Sequence, residues 1–300
     1  MSGDTQAITA GRKTFFIQPD TSLLPENFCE EYLVDGFEAY FVGKLPNFSL
    51  ENYIDYLYES FNDLILFFNI DSPPPNGETW SQFIRRINAK YEGKVLIGVL
   101  YTKRQNKEEK PVIEKVYLFD IGIMCGCIQL EYQKKNNFGI IEKVLYANQA
   151  MGRRKQVRAL CNKNCTFDFV FNKNSYKGQL QDISLSHFSF ILPHGMLNMP
   201  MYEKIDGIQM TVKGAHIRTS AVLFLSRPVN NGADDLFVFM FVHANGNQGL
   251  EEVAKQTILP KLYEMLYENC MTLLKETILE DQKKQKLDWD RKRHELGKNQ

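Results

Sequence analysis

The sequence lacks the features that mark several large classes of protein. No run approaches the roughly 18 apolar residues that a membrane-spanning helix needs, and no apolar secretory segment is visible near residue 1. We therefore expect a cytoplasmic protein without a transmembrane segment. The six cysteines include no Cys-x-x-Cys pair, which favours reduced thiols. Gly-x-Ser-x-Gly, His-Glu-x-x-His, P-loop and dinucleotide-binding glycine motifs are also missing, so we expect no enzyme and no cofactor.

An excess of charge of either sign is missing as well. Lysine plus arginine number 36, aspartate plus glutamate number 36, and the formal net charge is zero. A neutral chain does not hold a nucleic acid polymer through its overall field, so any anion site must be local and built from clustered cations. Hydrophobic residues make up 44% of the 300 residues, which is typical of a globular protein long enough for two domains.

Residues 12–151 alternate short apolar runs with stretches of helical periodicity. This pattern predicts a doubly wound α/β domain with a parallel sheet. The predicted strands are 14–18, 38–43, 64–70, 95–101 and 125–130, and the predicted helices are 24–36, 50–61, 78–91 and 137–152. The pattern looks like a response-regulator receiver domain, with Asp71 after the third strand but no lysine after the fifth. We predict a pseudo-receiver, and phosphorylation of Asp71 is kept as a separate alternative.

Residues 152–247 change to a period of two. Alternation such as Phe167, Phe169 and Phe171 in TFDFVF predicts five or six strands and a small antiparallel β-barrel. Residues 248–300 are predicted to form a helix with a charged tail. The tail is interpreted as a solvated helix end, an oligomerisation helix or a docking segment. Pro260 is expected in a first turn or at a kink.

A cluster of cations enters the predicted barrel. It consists of Arg153, Arg154, Lys155 and Arg158. Arginine forks match phosphate oxygens and the O6/N7 edge of guanine, although a basic linker between domains would have the same composition.

A second polar element follows within the barrel. Asp182 and Ser184 point to the same face if the chain is extended there. A carboxylate accepts from guanine N1–H and N2–H, and a hydroxyl donates to a phosphate or a base edge. The alternative is that both side chains only complete a strand end. Zinc binding by Cys161 and Cys165 with His187 or His194 is less favoured than buried, inert cysteines, and we expect no metal.

With these residues the sequence resembles the PilZ family. That family carries Arg-x-x-x-Arg before a small β-barrel and Asp/Asn-x-Ser-x-x-Gly a few tens of residues later. Arg154 and Arg158 match the first half, and Asp182 and Ser184 match the second. His187 stands at the glycine position. The resemblance covers roughly residues 152–245.

The resemblance implies a bacterial second-messenger receptor for cyclic di-GMP. Arg154 and Arg158 would grip phosphates and guanine edges, with Arg153 in support, while Asp182 and Ser184 would hold the other face. Ligand uptake would reorient the two domains and relay the signal to a protein effector, in this family often a motility component. Histidine at position 187, where the family has glycine, would bring strain or a clash, or it would instead stack on a base and preserve binding. The alternative is a degenerate PilZ-fold scaffold that binds no nucleotide and acts through protein–protein contacts.

Overall fold

The computed structural model describes residues 11–43, 49–103, 110–243 and 245–297. The chain divides into two compact units. The α/β unit consists of the described residues within Met1–Phe28, Glu38–Arg153 and Cys270–Gln300. The barrel unit consists of those within Cys29–Phe37 and Arg154–Asn269. Neither unit is a continuous stretch of sequence, because each includes a segment that lies far away along the chain.

The α/β unit is built on a parallel sheet of five strands in the order β2-β1-β3-β4-β5. This order is that of a doubly wound fold, with its topological switch between β1 and β3. Strands buried on both faces explain the continuous apolar runs. The strands are β1 Lys13–Ile17, β2 Ala39–Val42, β3 Leu64–Asn69, β4 Val95–Thr102 and β5 Cys127–Leu130.

Helices connect these strands, and side chains fix where two of them begin. Ser49 accepts a hydrogen bond from the Asn52 backbone N–H, and Thr79 forms a reciprocal capping box with Gln82. The stretch between β4 and β5 is helical over 110–121. The helices are α1 Phe28–Val34, α2 Leu50–Phe61, α3 Trp80–Tyr91, α4 Lys110–Glu114, a π-helical turn Lys115–Ile121 and α5 Lys134–Ala147.

The barrel unit contains a closed antiparallel ring of six strands, as predicted. Strand β8 pairs with β7 on one side and with β9 on the other, and the β10, β11 and β12 ladders complete the ring. A two-residue strand, β6 Ala159–Leu160, adds to β8. The ring strands are β7 Thr166–Phe171, β8 Asn174–Ile183, β9 His187–Pro193, β10 Lys204–Val212, β11 Ala215–Val229 and β12 Asp234–Val242.

Phenylalanine rings fill the barrel because every second residue of its strands points inward. The ring centroids of Phe167 and Phe190 lie 4.0 Å apart, and those of Phe188 and Phe239 lie 5.4 Å apart. Ile258 of the C-terminal helix belongs to the same buried cluster. The first part of that helix therefore covers the barrel core.

The C-terminal helix, α6, runs over Glu252–Gly297. Pro260 lies inside it, well beyond the first turn, so the prediction of a first-turn position is wrong. The later part of α6 contacts α2 within the α/β unit, where Ser60 and Thr277 share a 2.8 Å hydrogen bond. Among the described residues, no helix combines the length and apolar character that a membrane crossing requires.

Candidate functional site

The basic segment 153–158 is irregular and connects α5 to β6. Arg153, Arg154 and Lys155 are exposed, whereas Arg158 is partly buried. Arg153 is grouped with the α/β unit, where it lines a small cavity with Arg12 and other residues. Arg154 and Arg158 belong to the barrel unit together with Asp182.

Arg158 and Asp182 form an ion pair at one end of β8. Arg158 Nη1 lies 3.8 Å from Asp182 Oδ1, with side-chain exposures of 28% and 20%. That distance is too long for a hydrogen bond. Asp182 Oδ1 is buried and accepts no hydrogen bond from the described residues. Because a buried carboxylate oxygen is normally hydrogen-bonded, this atom is a vacant acceptor next to a cation.

Local irregularities of the sheet position this carboxylate. The β8–β9 register shifts between Leu180 and Asp182, so a β-bulge aims the aspartate away from the interior, where Leu180 and Ile183 are buried. Asp182 is paired opposite Ser189 of β9. Ser189 Oγ is also buried without a described hydrogen-bond partner. Asp182 Oδ1 and Ser189 Oγ are therefore two buried polar atoms without described hydrogen-bond partners on the neighbouring strands β8 and β9.

Ser184 lies just beyond the end of a strand. Strand β8 ends at Ile183, one residue before Ser184. The side chain is buried, and its Oγ accepts from the His187 backbone N–H at 3.0 Å and from the Ser186 N–H at 3.3 Å. In this geometry Ser184 holds the turn between β8 and β9.

His187 occupies the first position of β9, on the far side of that turn. It is not among the residues with positive φ, so a histidine in place of glycine causes no backbone strain here. Its Nδ1 lies 2.8 Å from Ser186 Oγ, and its ring meets Phe224 at a centroid distance of 5.5 Å. Burial, and then the charge of Arg158, lower the pKa of His187, while Asp182 opposes the change. His187 lies two residues along β9 from Ser189, the residue paired with Asp182, and therefore faces the same side of the sheet as Asp182.

A separate cavity of about 600 Å³ lies at the carboxyl ends of the parallel strands in the α/β unit. Its lining includes Asp20, Thr102 and Lys103 but not Asp71. The Asp71 carboxylate accepts from the Thr102 N–H at 2.6 Å and from its hydroxyl at 2.9 Å, and burial raises the pKa of this group. The position after the third strand is as predicted. Only Oδ2 of the carboxylate is bonded to Thr102, while Oδ1 is buried without a hydrogen-bond partner among the described residues.

Two residues of the barrel site were not identified from the sequence. Ser189 had a weak signal, since it is a polar residue within the apolar strand FSFIL. Phe224 had none, because only the fold brings β11 close to the start of β9. Within the described ranges the six cysteines are free, and no group of three His, Cys, Asp or Glu residues could hold a metal ion.

Similarity to known proteins comes from solved structures. No protein-family model matches the sequence, and no curated protein matches it. The PilZ domain of YcgR from Escherichia coli, solved with c-di-GMP, shares 14% identity over 40% of this chain and 96% of that one, with a TM-score of 0.32. The Bacillus subtilis inhibitor of motility MotI shares 12% identity over 41% of this chain and 53% of its own, with a TM-score of 0.32.

A third similar structure is PlzA from Borreliella burgdorferi in complex with c-di-GMP. It shares 13% identity over 39% of this chain and 52% of its own, with a TM-score of 0.28. The chain spans about half the length of MotI and PlzA. It is similar to these three solved structures over about 40% of its residues. The roles of individual residues depend on the geometry of this chain.

Proposed function

We propose that the barrel unit is a receptor for cyclic di-GMP and that the protein acts by binding rather than by catalysis. The observation that carries the proposal is the vacant, buried Asp182 Oδ1 beside the Arg158 guanidinium. A guanine base carries N–H donors for this oxygen, and the phosphodiesters carry negative charge for the arginine.

Each site residue then has a distinct role. Arg154 and Arg158 bind phosphate oxygens or the O6/N7 edge of guanine, and the exposed Arg153 adds positive charge. Asp182 accepts from guanine N1–H and N2–H. Ser184 acts by holding the turn that places the next strand, because its hydroxyl is already bonded to the backbone of that turn.

The basic segment also suggests how binding is relayed. Residues 153–158 connect the two units along the chain and are largely exposed. A ligand gripped by these arginines orders the segment and changes the relative orientation of the units, which alters the surface available to a protein effector. Pairs of spin labels, one in each unit, should change their distance distribution when cyclic di-GMP is added. An unchanged distribution with bound ligand would contradict this relay.

Calorimetric titration with cyclic di-GMP tests the binding itself. The full chain, the double variant Arg154→Ala/Arg158→Ala and the control Arg227→Ala should be compared. Arg227 is an exposed arginine on β11 of the same barrel. Its replacement by alanine removes one positive charge without changing a residue of the proposed site.

We expect the native chain and the control to bind with micromolar or tighter affinity and the double variant to lose binding. Titration of the native chain without heat at several temperatures would reject the receptor function. That result would favour the alternative scaffold role, which requires no nucleotide.

A further inference from the structure

Phe224 is an aromatic side chain with an unusual position on the barrel. The β11–β12 register shifts between Leu223 and Leu225, which places Phe224 at a β-bulge. Leu223 is fully buried, whereas Phe224 remains 48% exposed. Bulges re-aim side chains and occur frequently beside binding sites. Here the bulge turns a large planar ring outward.

His187 meets this ring from β9. Both residues flank β12, since His187 and Val222 are each paired with Met240. The two rings have an interplanar angle of 72°, so they form a corner rather than a parallel stack. Ser186 Oγ, 2.8 Å from His187 Nδ1, fixes the imidazole ring. The corner is therefore held in place before any ligand arrives.

The polar atoms described above lie next to this corner. His187 is close enough to Arg158 and Asp182 for both charges to act on it. Asp182 is paired with Ser189, two residues along β9 from His187, so the Asp182 side chain lies on the same face of the sheet as His187. An aromatic corner thus borders a carboxylate acceptor and a guanidinium.

We propose that Phe224 and His187 receive one guanine base of the ligand, with one ring stacked on the base and the other closing its side. This inference rests on the proposed function and adds a contact that the arginine and aspartate motif does not contain. Histidine at the glycine position then supports binding, because it contributes to the corner.

The same arrangement selects guanine over adenine. A carboxylate facing the edge of the base accepts two hydrogen bonds from guanine N1–H and N2–H. Adenine presents an acceptor at N1, which would face the carboxylate unfavourably. Cyclic di-AMP is therefore expected to bind much more weakly than cyclic di-GMP.

Titration of four full-length variants with cyclic di-GMP tests the corner. Phe224→Ala should weaken binding by about 5- to 150-fold, the range for losing one base–aromatic stack. His187→Gly should also weaken it. Leu225→Ala, which truncates the exposed neighbour of Phe224, should change the dissociation constant less than about twofold. Phe224→Trp should retain binding, and its added fluorescence should be quenched by the ligand.

The outcomes separate this inference from the receptor function. If the native chain binds and Phe224→Ala binds equally well, the aromatic corner does not bind the base, while the proposal of a cyclic di-GMP receptor is unaffected. Tighter binding by His187→Gly would also overturn the corner, since glycine would then be the better residue. Absence of quenching in a ligand-bound Phe224→Trp variant contradicts stacking. If the native chain does not bind, both proposals fall.

Discussion

Replacing Arg158 by lysine separates ligand recognition from folding. Lysine keeps the positive charge near Asp182 but removes the planar fork of donors. Two unit charges 3.8 Å apart attract by about 4 kcal/mol at an effective dielectric constant near 20, but measured net values for partly exposed pairs are only about 0–1 kcal/mol. The Arg158→Lys substitution should therefore change the free energy of unfolding by less than about 1 kcal/mol.

The effect on binding should be larger. Losing a hydrogen bond between charged groups costs about 1.5–3 kcal/mol, which weakens cyclic di-GMP binding by about 10- to 150-fold. Urea unfolding of the ligand-free protein and calorimetric titration measure the two quantities on the same samples. Arg227→Lys, an exposed position on β11, is the matched control and should leave both unchanged.

Effects of similar size on stability and on binding would contradict a role of the Arg158 fork in recognition alone. A loss of several kcal/mol in stability would mean that the arginine fork holds the barrel together. Unchanged affinity in a stable Arg158→Lys protein would mean that the ligand does not use the fork.

Four further predictions concern stability, each measured by urea unfolding. Gly98→Ala should destabilise the α/β unit by about 1–3 kcal/mol, because the new Cβ would lie 2.6 Å from the Phe67 ring. Gly139→Ala, in a helix with open space at that position, should instead stabilise by about 0.5–1 kcal/mol, and a loss there would contradict the helix. Phe190→Ala should cost the barrel about 3–5 kcal/mol through the cavity it leaves, and a change below about 1 kcal/mol would contradict a packed interior. Finally, burial and a neighbouring cation hold the pKa of His187 below 6.5 in the folded state. The unfolded chain therefore binds a proton at this histidine more readily than the folded chain does, and the free energy of unfolding falls as the pH drops through this value. Comparison of His187→Gln with the native chain at about pH 7.5 and about pH 5.5 should show a shallower pH slope in the variant.

Most of the fold was predictable because its patterns are long and regular. The run 64–70 is apolar on both faces, as a central parallel strand requires, and TFDFVF alternates as a barrel strand must. Less regular features were not predictable. Strand β6, Ala159–Leu160, is too short to carry a period and exists through its pairing with β8. Packing along α6 retains the helix through Pro260 against the local preference of proline.

The candidate site was predictable only in part, for a similar reason. Arg158 and Asp182 were identified because charged residues beside apolar strands are visible in sequence. The hydrogen bonds of Ser184 were not, since they form within the turn between β8 and β9. Phe224 and Ser189 belong to the site through register shifts and strand pairing, which arise from the closed sheet rather than from any local pattern.

Closure of the ring has a consequence for how this protein behaves at high concentration. An open sheet offers backbone donors and acceptors along its outermost strands, where a second molecule can add by strand pairing. Each of the six described ring strands is instead bonded on both sides, at least over part of its length. The outermost strands of the parallel sheet, β2 and β5, have only four residues each. We therefore expect the folded chain to resist fibril growth through edge addition, so that aggregation would report unfolding.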